Sequence, residues 1–220
     1  MNSLNEVLNS FLLVYAALFP IINPIGGAPI FLGFTRHCTE KERHLLARRV
    51  AFNGFILLLG SLLAGSHVLE FFGITIPVLR IAGGLVVTSF AWNLLQRGQE
   101  ADDSENSARV VGPNDAFYPL TMPLTIGPGS MSVAITLGSQ RPKGITDLAS
   151  LAGIGGGAIA GLLAVILTVY LCYRFAERIV SALGENGANV LIRLSAFILV
   201  CIGIQILWNG ISSLPGIPTH

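Results

Sequence analysis

Long apolar runs alternate along the chain with short polar connections, and each run is close to the length of a membrane-crossing helix. About twenty helical residues cross a hydrocarbon core of roughly 30 Å, and windows of that length predict spans at 8–34, 46–69, 75–95, 116–139, 148–172 and 190–211. The runs are continuous, as in FILLLGSLLAG, and do not alternate with a period of two. The pattern therefore predicts helices and not a β-barrel. Composition agrees: 52% of the 220 residues are hydrophobic and 11% charged, against about 25% charged in a soluble domain. The expected fold is an all-α integral membrane protein with six transmembrane helices. The N-terminal run has no Lys or Arg before it and no small-residue cleavage pattern, so it reads as the first span and not as a removable signal.

The polar connections set an orientation. Odd-numbered connections carry Arg36, Lys41, Arg43, Arg48, Arg49, Arg97, Arg109, Arg174, Arg178 and Arg193, while Arg80, Arg141 and Lys143 fall on the other side. The positive-inside rule then makes the odd connections cytoplasmic and puts both termini on the outer face. Thr39 and Glu42 have capping-box spacing, so the second helix is expected to begin in the cytoplasm before entering the membrane. Residues 96–115 read as a solvated cytoplasmic linker. A formal net charge of +1 leaves no nucleic-acid footprint.

The two halves echo each other. FPIINPIGGAP in the first span has Pro20 and Pro24, YPLTMPLTIGPG in the fourth has Pro119 and Pro123, and glycines follow each pair. The third span runs from Val78, Leu79 and Arg80 to Trp92 and Asn93; the sixth runs from Val190, Leu191 and Arg193 to Trp208 and Asn209. Together these predict two three-helix repeats, 1–95 and 116–220, joined by the linker. Three crossings are an odd number, so the second copy enters from the opposite face and the repeats are inverted. Helices broken at corresponding places of inverted repeats point to a transport site.

Broken helices 1 and 4 carry the candidate chemistry. Prolines remove backbone donors and glycines let the chain leave helical dihedrals. Unpaired backbone in lipid costs several kcal/mol per group, so a break persists only where it faces protein or a wet cavity. The half-helix after each break offers N–H groups and a positive dipole end for a carboxylate, and the half before it offers carbonyls for an ammonium. A small zwitterion fits both. The substrate-binding candidates are Asn23, Pro24, Gly26 and Gly27, and Thr125, Gly127, Pro128 and Gly129, with Thr121 nearby. Simple packing kinks are the alternative.

Arg80 and Arg193 lie just inside their spans, where snorkelling to head groups competes with gating or contact to a substrate carboxylate. His67 and Glu70 fall near the outer end of the second span, as an interfacial pair or a proton-coupling one. Gly153, Gly157 and Gly161, Gly60 with Ala64, and Ser61 with Gly65 read as small-residue packing faces. Trp92 and Trp208 read as interfacial anchors. Cys38, Cys172 and Cys201 have no metal or disulfide spacing, and the four histidines have no metal-ligand spacing. No cofactor, metal or enzymatic activity is expected, and GIGGG follows no strand that would make it a nucleotide loop.

The stretches NPIGGAPIF, GITIPVLRIAGGLVV, PLTIGPG and RLSAFILVCIGIQILWNGI resemble the MarC family of bacterial and archaeal membrane proteins, over nearly the whole chain. That resemblance implies a broken-helix inverted-repeat transporter in the inner membrane of a prokaryote, with glycine and alanine as substrates and a proton as coupling ion. The expected function is secondary transport of small neutral amino acids by alternating access. The alternatives are a non-transporting membrane scaffold or partner subunit, and an exporter of another small or lipophilic solute. The expected partners are a small zwitterionic amino acid, membrane lipid, a coupling proton or other ion and, in a homo-oligomer, further copies of the chain.

Overall fold

A computed structural model of the chain describes residues 3–97, 115–140 and 148–214. Most of the expected linker, with Arg109, lies outside the described residues, as do Arg141, Lys143 and His220. Regular structure among the described residues is entirely helical: α1 (Ser3–Ile22), α2 (Pro24–Phe34), α3 (Glu40–Phe71), α4 (Ile76–Arg97), α5 (Ala116–Thr125), α6 (Pro128–Ser139), α7 (Leu148–Arg174) and α8 (Ala176–Ser212). Five of these helices are long and apolar enough to cross a membrane, or six spans if α5 and α6, bent by 70° at their junction, count as one. Large apolar side chains such as Leu13, Phe52, Leu167 and Phe197 are exposed on the helix surfaces, the arrangement expected when lipid is the solvent.

Two boundaries differ from the sequence pattern. The predicted first span, 8–34, is two helices, and Leu4–Ile22 already has the length of a span. The last helix begins at Ala176, well before the predicted residue 190, and bends at Gly184 (φ 68, ψ 170). A side chain would be strained at that positive φ, so glycine is the residue that permits the bend.

α3 starts as its sequence predicts. Thr39 Oγ1 accepts from the Glu42 N–H at 3.4 Å, and Glu42 Oε2 accepts from the Thr39 N–H at 2.8 Å, completing the capping box. One turn on, the buried Arg43 pairs with Glu177 at the start of α8, and its Nη2 donates to the Thr35 and Cys38 carbonyls, each at 3.3 Å. Thr35 caps the C-terminus of α2, where a cation complements the helix dipole. One guanidinium thus ties together the ends of α2, α3 and α8.

α5 is wide and irregular because of its prolines. Tyr118 and Met122, each preceding a proline, are extended, as pre-proline sterics favour. Thr121 and Thr125 hydroxyls donate at 2.7 Å to the carbonyls of Ala116 and Leu120, five residues back.

Glycines set the helix spacing. Along α7, Gly157 and Gly161 lie against the backbone of Val7 and Phe11 in α1, in parallel order. α6 packs against α3, with Gly138 against Leu62, and Ile126, just before α6, lies beside Gly54. α4 and α8 pack antiparallel, with Gly84 opposite Gly203 and Leu207, and Gly210 opposite Ile81. In the predicted α3 packing faces, Gly65 does meet Ile135, but Gly60 has nothing within 4 Å and Ala64 is exposed. That part of the stripe turns away from the protein.

A matched pair of substitutions tests this packing. A Cβ at Gly84 would sit 2.5 Å from the Leu207 nitrogen and 2.7 Å from the Gly203 oxygen, backbone atoms that cannot rotate away. Gly84→Ala is therefore expected to destabilise by roughly 1–3 kcal/mol. Gly60→Ala is expected to leave stability unchanged or raise it by up to about 1 kcal/mol, through helix propensity alone. Thermal unfolding in detergent, followed by tryptophan fluorescence, checks both.

Candidate functional site

The first break is one residue wide. Asn23 takes left-handed dihedrals (φ 48, ψ 59), the sole non-glycine with positive φ among the described residues. Asparagine tolerates that region better than most side chains because its short amide bonds locally. Here its Oδ1 accepts from the Gly26 N–H at 3.2 Å and caps α2. The backbone stays satisfied across the break: Asn23 N–H donates to the Phe19 carbonyl, and Gly27 N–H to the Asn23 carbonyl, both at 2.9 Å. Pro24 occupies the first helical position, where a missing N–H costs nothing.

The second break is longer. After Thr125, Ile126 (φ −114, ψ 98) and Gly127 (φ −95, ψ 173) are extended, and Pro128 opens α6. Ser130 Oγ donates to the Gly127 carbonyl at 2.9 Å, and Ser132 Oγ to the Gly129 carbonyl at 2.8 Å. The prolines that open the two half-helices are therefore Pro24 and Pro128. Spacing alone pairs Pro24 with Pro123, but Pro123 lies inside α5 and does different work.

Both breaks border one cavity of about 90 Å³. Asn23, Gly26, Gly27, Thr125, Gly127, Pro128 and Gly129 all line it; Pro24 alone of the candidates does not, being buried behind the turn. The remaining wall is supplied by residues that the sequence pattern did not single out, chiefly Val86, Val87 and Phe90 of α4, Ser130 of α6 and Leu199 of α8. Val86 and Val87 lie midway along α4.

Two further side chains hold the turns in place. Tyr173 Oη and Thr125 Oγ1 are hydrogen-bonded at 2.9 Å, and the Tyr173 ring stacks on Phe31 with centroids 4.4 Å apart. A Cβ on Gly27 would lie 2.8 Å from that phenolic oxygen, and one on Gly26 would collide with Ser195 of α8. Tyr173 thus joins α2, the end of α5 and α7. Nothing local in the sequence marks it, because an aromatic at the end of an apolar helix reads as an interfacial anchor.

Among the described residues no Asp, Glu, Lys, Arg or His lines the cavity. Its polarity comes from backbone, from the Asn23 amide and from the hydroxyls of Thr125 and Ser130. The first turns of α2 and α6 both border it, with the Gly26 and Gly27 N–H groups of α2 already held by Asn23. Two positive dipole ends therefore converge on an uncharged, largely apolar space. The other candidates lie elsewhere. Arg80 borders a separate cavity, Arg193 is exposed on α8, and His67 and Glu70 are exposed near the end of α3. Among the described residues no three His, Cys, Asp or Glu side chains are placed to hold a metal ion.

Comparison with known proteins bears on the whole arrangement. Residues 8–214 match the MarC family integral membrane proteins. The chain is 34% identical over 201 residues to the inner membrane protein MarC of Escherichia coli, covering 88% of this chain and 90% of the relative. It is 33% identical over 200 residues to a UPF0056 membrane protein of Buchnera aphidicola, covering 91% and 90%. A UPF0056 membrane protein of Pyrococcus abyssi is 30% identical over 212 residues, covering 96% and 99%. No solved structure matches the chain. With apolar helices, two bordered breaks and a match over almost its full length, the chain belongs to the MarC family of multi-pass integral membrane proteins.

Proposed function

We propose that the protein is a secondary transporter of small neutral amino acids, glycine and alanine foremost, working by alternating access. The observation that carries this reading is the cavity at the paired breaks. At about 90 Å³ it is a small space. That is the scale of the smallest amino acids, and far below the roughly 300 Å³ at which drug-sized pockets begin. A lipophilic-drug exporter is correspondingly disfavoured. The converging half-helix starts suit a carboxylate, carbonyl and amide oxygens suit an ammonium, and the absence of a lining charge disfavours acidic or basic side chains on the ligand.

In this reading 1–95 and 116–220 are inverted repeats that rock about the cavity, with both termini outside. The packing supports it. α1 with α7, a parallel pair, and α3 with α6 each join the broken element of one half to the middle helix of the other. α4 and α8, the third helices, meet each other antiparallel. Exchange of partners in this manner is what a two-fold axis in the membrane plane produces.

Uptake of radiolabelled alanine into proteoliposomes, with and without an inward proton gradient, tests the proposal. A Cβ at Gly127 would meet only the Pro123 oxygen, at 3.6 Å, and its extended backbone suits a β-branched residue. Gly127→Val is expected to fold, with stability within about 0.5 kcal/mol of wild type, and to lose at least about tenfold in uptake by filling the cavity. Gly27→Val, pressed against Tyr173, is expected instead to lower the unfolding temperature. Saturable uptake that survives Gly127→Val, or no uptake of any small amino acid by folded wild type, would sink the proposal.

The uncharged lining also fixes a pH expectation. Alanine affinity, measured by thermal stabilisation, should stay flat between about pH 5 and 8, the window in which histidine would titrate. A change of more than about tenfold across that window would place a titrating group at the ligand, against the lining described above.

A further inference from the structure

A second cavity of about 340 Å³ lies between the start of α4, the outer half of α6 and the end of α8. Arg80, Thr136, Asn209 and Ser213 supply its polar wall, and Leu137 and Ile206 part of its apolar wall. Arg80 Nη1 donates to Ser213 Oγ at 3.4 Å, which uses one of the five guanidinium donors. Ser213 Oγ is itself turned to the Asn209 carbonyl at 2.6 Å. Asn209 Oδ1 accepts from Gln205 Nε2 at 2.9 Å, and the amide also carries an NH2 with two donors. Thr136 is only 8% exposed, and its Oγ1, itself shielded, has no hydrogen-bond partner among the described residues. A buried hydroxyl without a partner costs stability, and a threonine on a helix has two χ1 rotamers through which to find one. Among the described residues no acidic side chain lines the cavity. Positive charge, spare donors and no carboxylate together select an oxyanion.

Position then says which oxyanion. The central cavity uses Val87 of α4 and Leu199 of α8; the second uses Arg80 and Ile206, each seven residues along. At 1.5 Å per residue both steps are about 10 Å. On α6 the wall moves in the same sense, from Ser130 to Val133 and Thr136. The two cavities are stacked along the same three helices, on the side that the distribution of basic residues assigns to the outside. Between them the helices close on glycines: a Cβ on Gly83 would lie 2.5 Å from Ser132 Oγ, and Gly84 abuts the α8 backbone.

We propose that this second cavity is an outer carboxylate-binding site, in which Arg80 and the donors of Thr136 and Asn209 hold the same small amino acid before it passes the glycine constriction or after it leaves. The inference rests on the transport reading above and adds to it a separate site with its own residues. An arginine that merely snorkelled would need no such cavity.

Equilibrium binding of radiolabelled alanine to the full chain in neutral-lipid nanodiscs tests it, with alaninamide as a competitor that lacks the carboxylate. Wild type is expected to bind a second alanine per chain, and Arg80→Gln to lose it while the central one remains. Thr136→Val, nearly isosteric, is expected to weaken the second site at least about tenfold with the fold intact, as loss of a hydrogen bond to a charged ligand does. Gly127→Val should keep the outer site and lose the central one. A single wild-type site that Arg80→Gln leaves untouched would overturn the outer site and spare the central one. Binding that Arg80→Gln abolishes entirely and Gly127→Val does not change would overturn the central site instead, and no binding at all would overturn both. Nanodiscs of phosphatidylglycerol provide the last arm. If Arg80→Gln removes a preference for that lipid and leaves alanine stoichiometry unchanged, the occupant is a head-group phosphate, and the proposal falls.

Discussion

Every backbone N–H and C=O inside a bilayer needs a partner, because lipid provides none and each unpaired group costs several kcal/mol. The structure is organised by how it meets that constraint where its helices break. At Asn23 a left-handed residue interrupts the helix for one position, and its side chain and carbonyl take the N–H groups of Gly26 and Gly27. In α5, threonine hydroxyls donate to the carbonyls of Ala116 and Leu120. The first turns of α2 and α6, which follow the two breaks, border the same cavity. The breaks are tolerable because they are gathered in one place.

Gathering them depends on helices that approach closely. Gly157 and Gly161 bring α7 onto α1, Gly84, Gly203 and Gly210 bring α4 onto α8, and Gly138 brings α6 onto α3. Small residues serve this purpose in membranes because van der Waals contact, and not exclusion of water, drives helices together. At one end of the bundle Arg43, paired with Glu177 and bonded to the carbonyls of Thr35 and Cys38, fixes α2 against α8. Inside, Tyr173 bonds Thr125 and stacks on Phe31, so the turns at Gly27 and Thr125 are held from one side chain.

The resulting chemistry is that of an uncharged space with polarised edges. Full charges in such a place would face a heavy desolvation cost, and the polarity that is there comes from backbone dipoles, one amide and hydroxyls. The side chains that carry full charge sit away from it. Arg80 lies about two helical turns along α4 from the cavity, and His67 and Glu70 are on the exposed end of α3. Charge in this protein therefore belongs to the ends of the bundle and hydrogen-bonding backbone to its middle.

The helical class, the start of α3 and the interruptions near Asn23 and Gly127 were legible along the chain, since each follows from local properties: apolar run length, proline's missing donor, glycine's freedom, the Thr39–Glu42 cap. Most of the cavity's turn residues were legible for the same reason, as the only motifs able to interrupt an apolar helix. Tertiary structure alone decided the rest. That Pro24 is matched by Pro128 and not Pro123 depends on where α6 starts. That Gly65 packs while Gly60 faces outward depends on the direction in which α3 turns its sides. Tyr173 and Ser195 reach the turns, and Val87 and Leu199 reach the cavity, only after distant helices are packed together. A sequence encodes the propensities of each segment directly. Which faces meet is set by the joint packing of all of them, and no single segment carries that information.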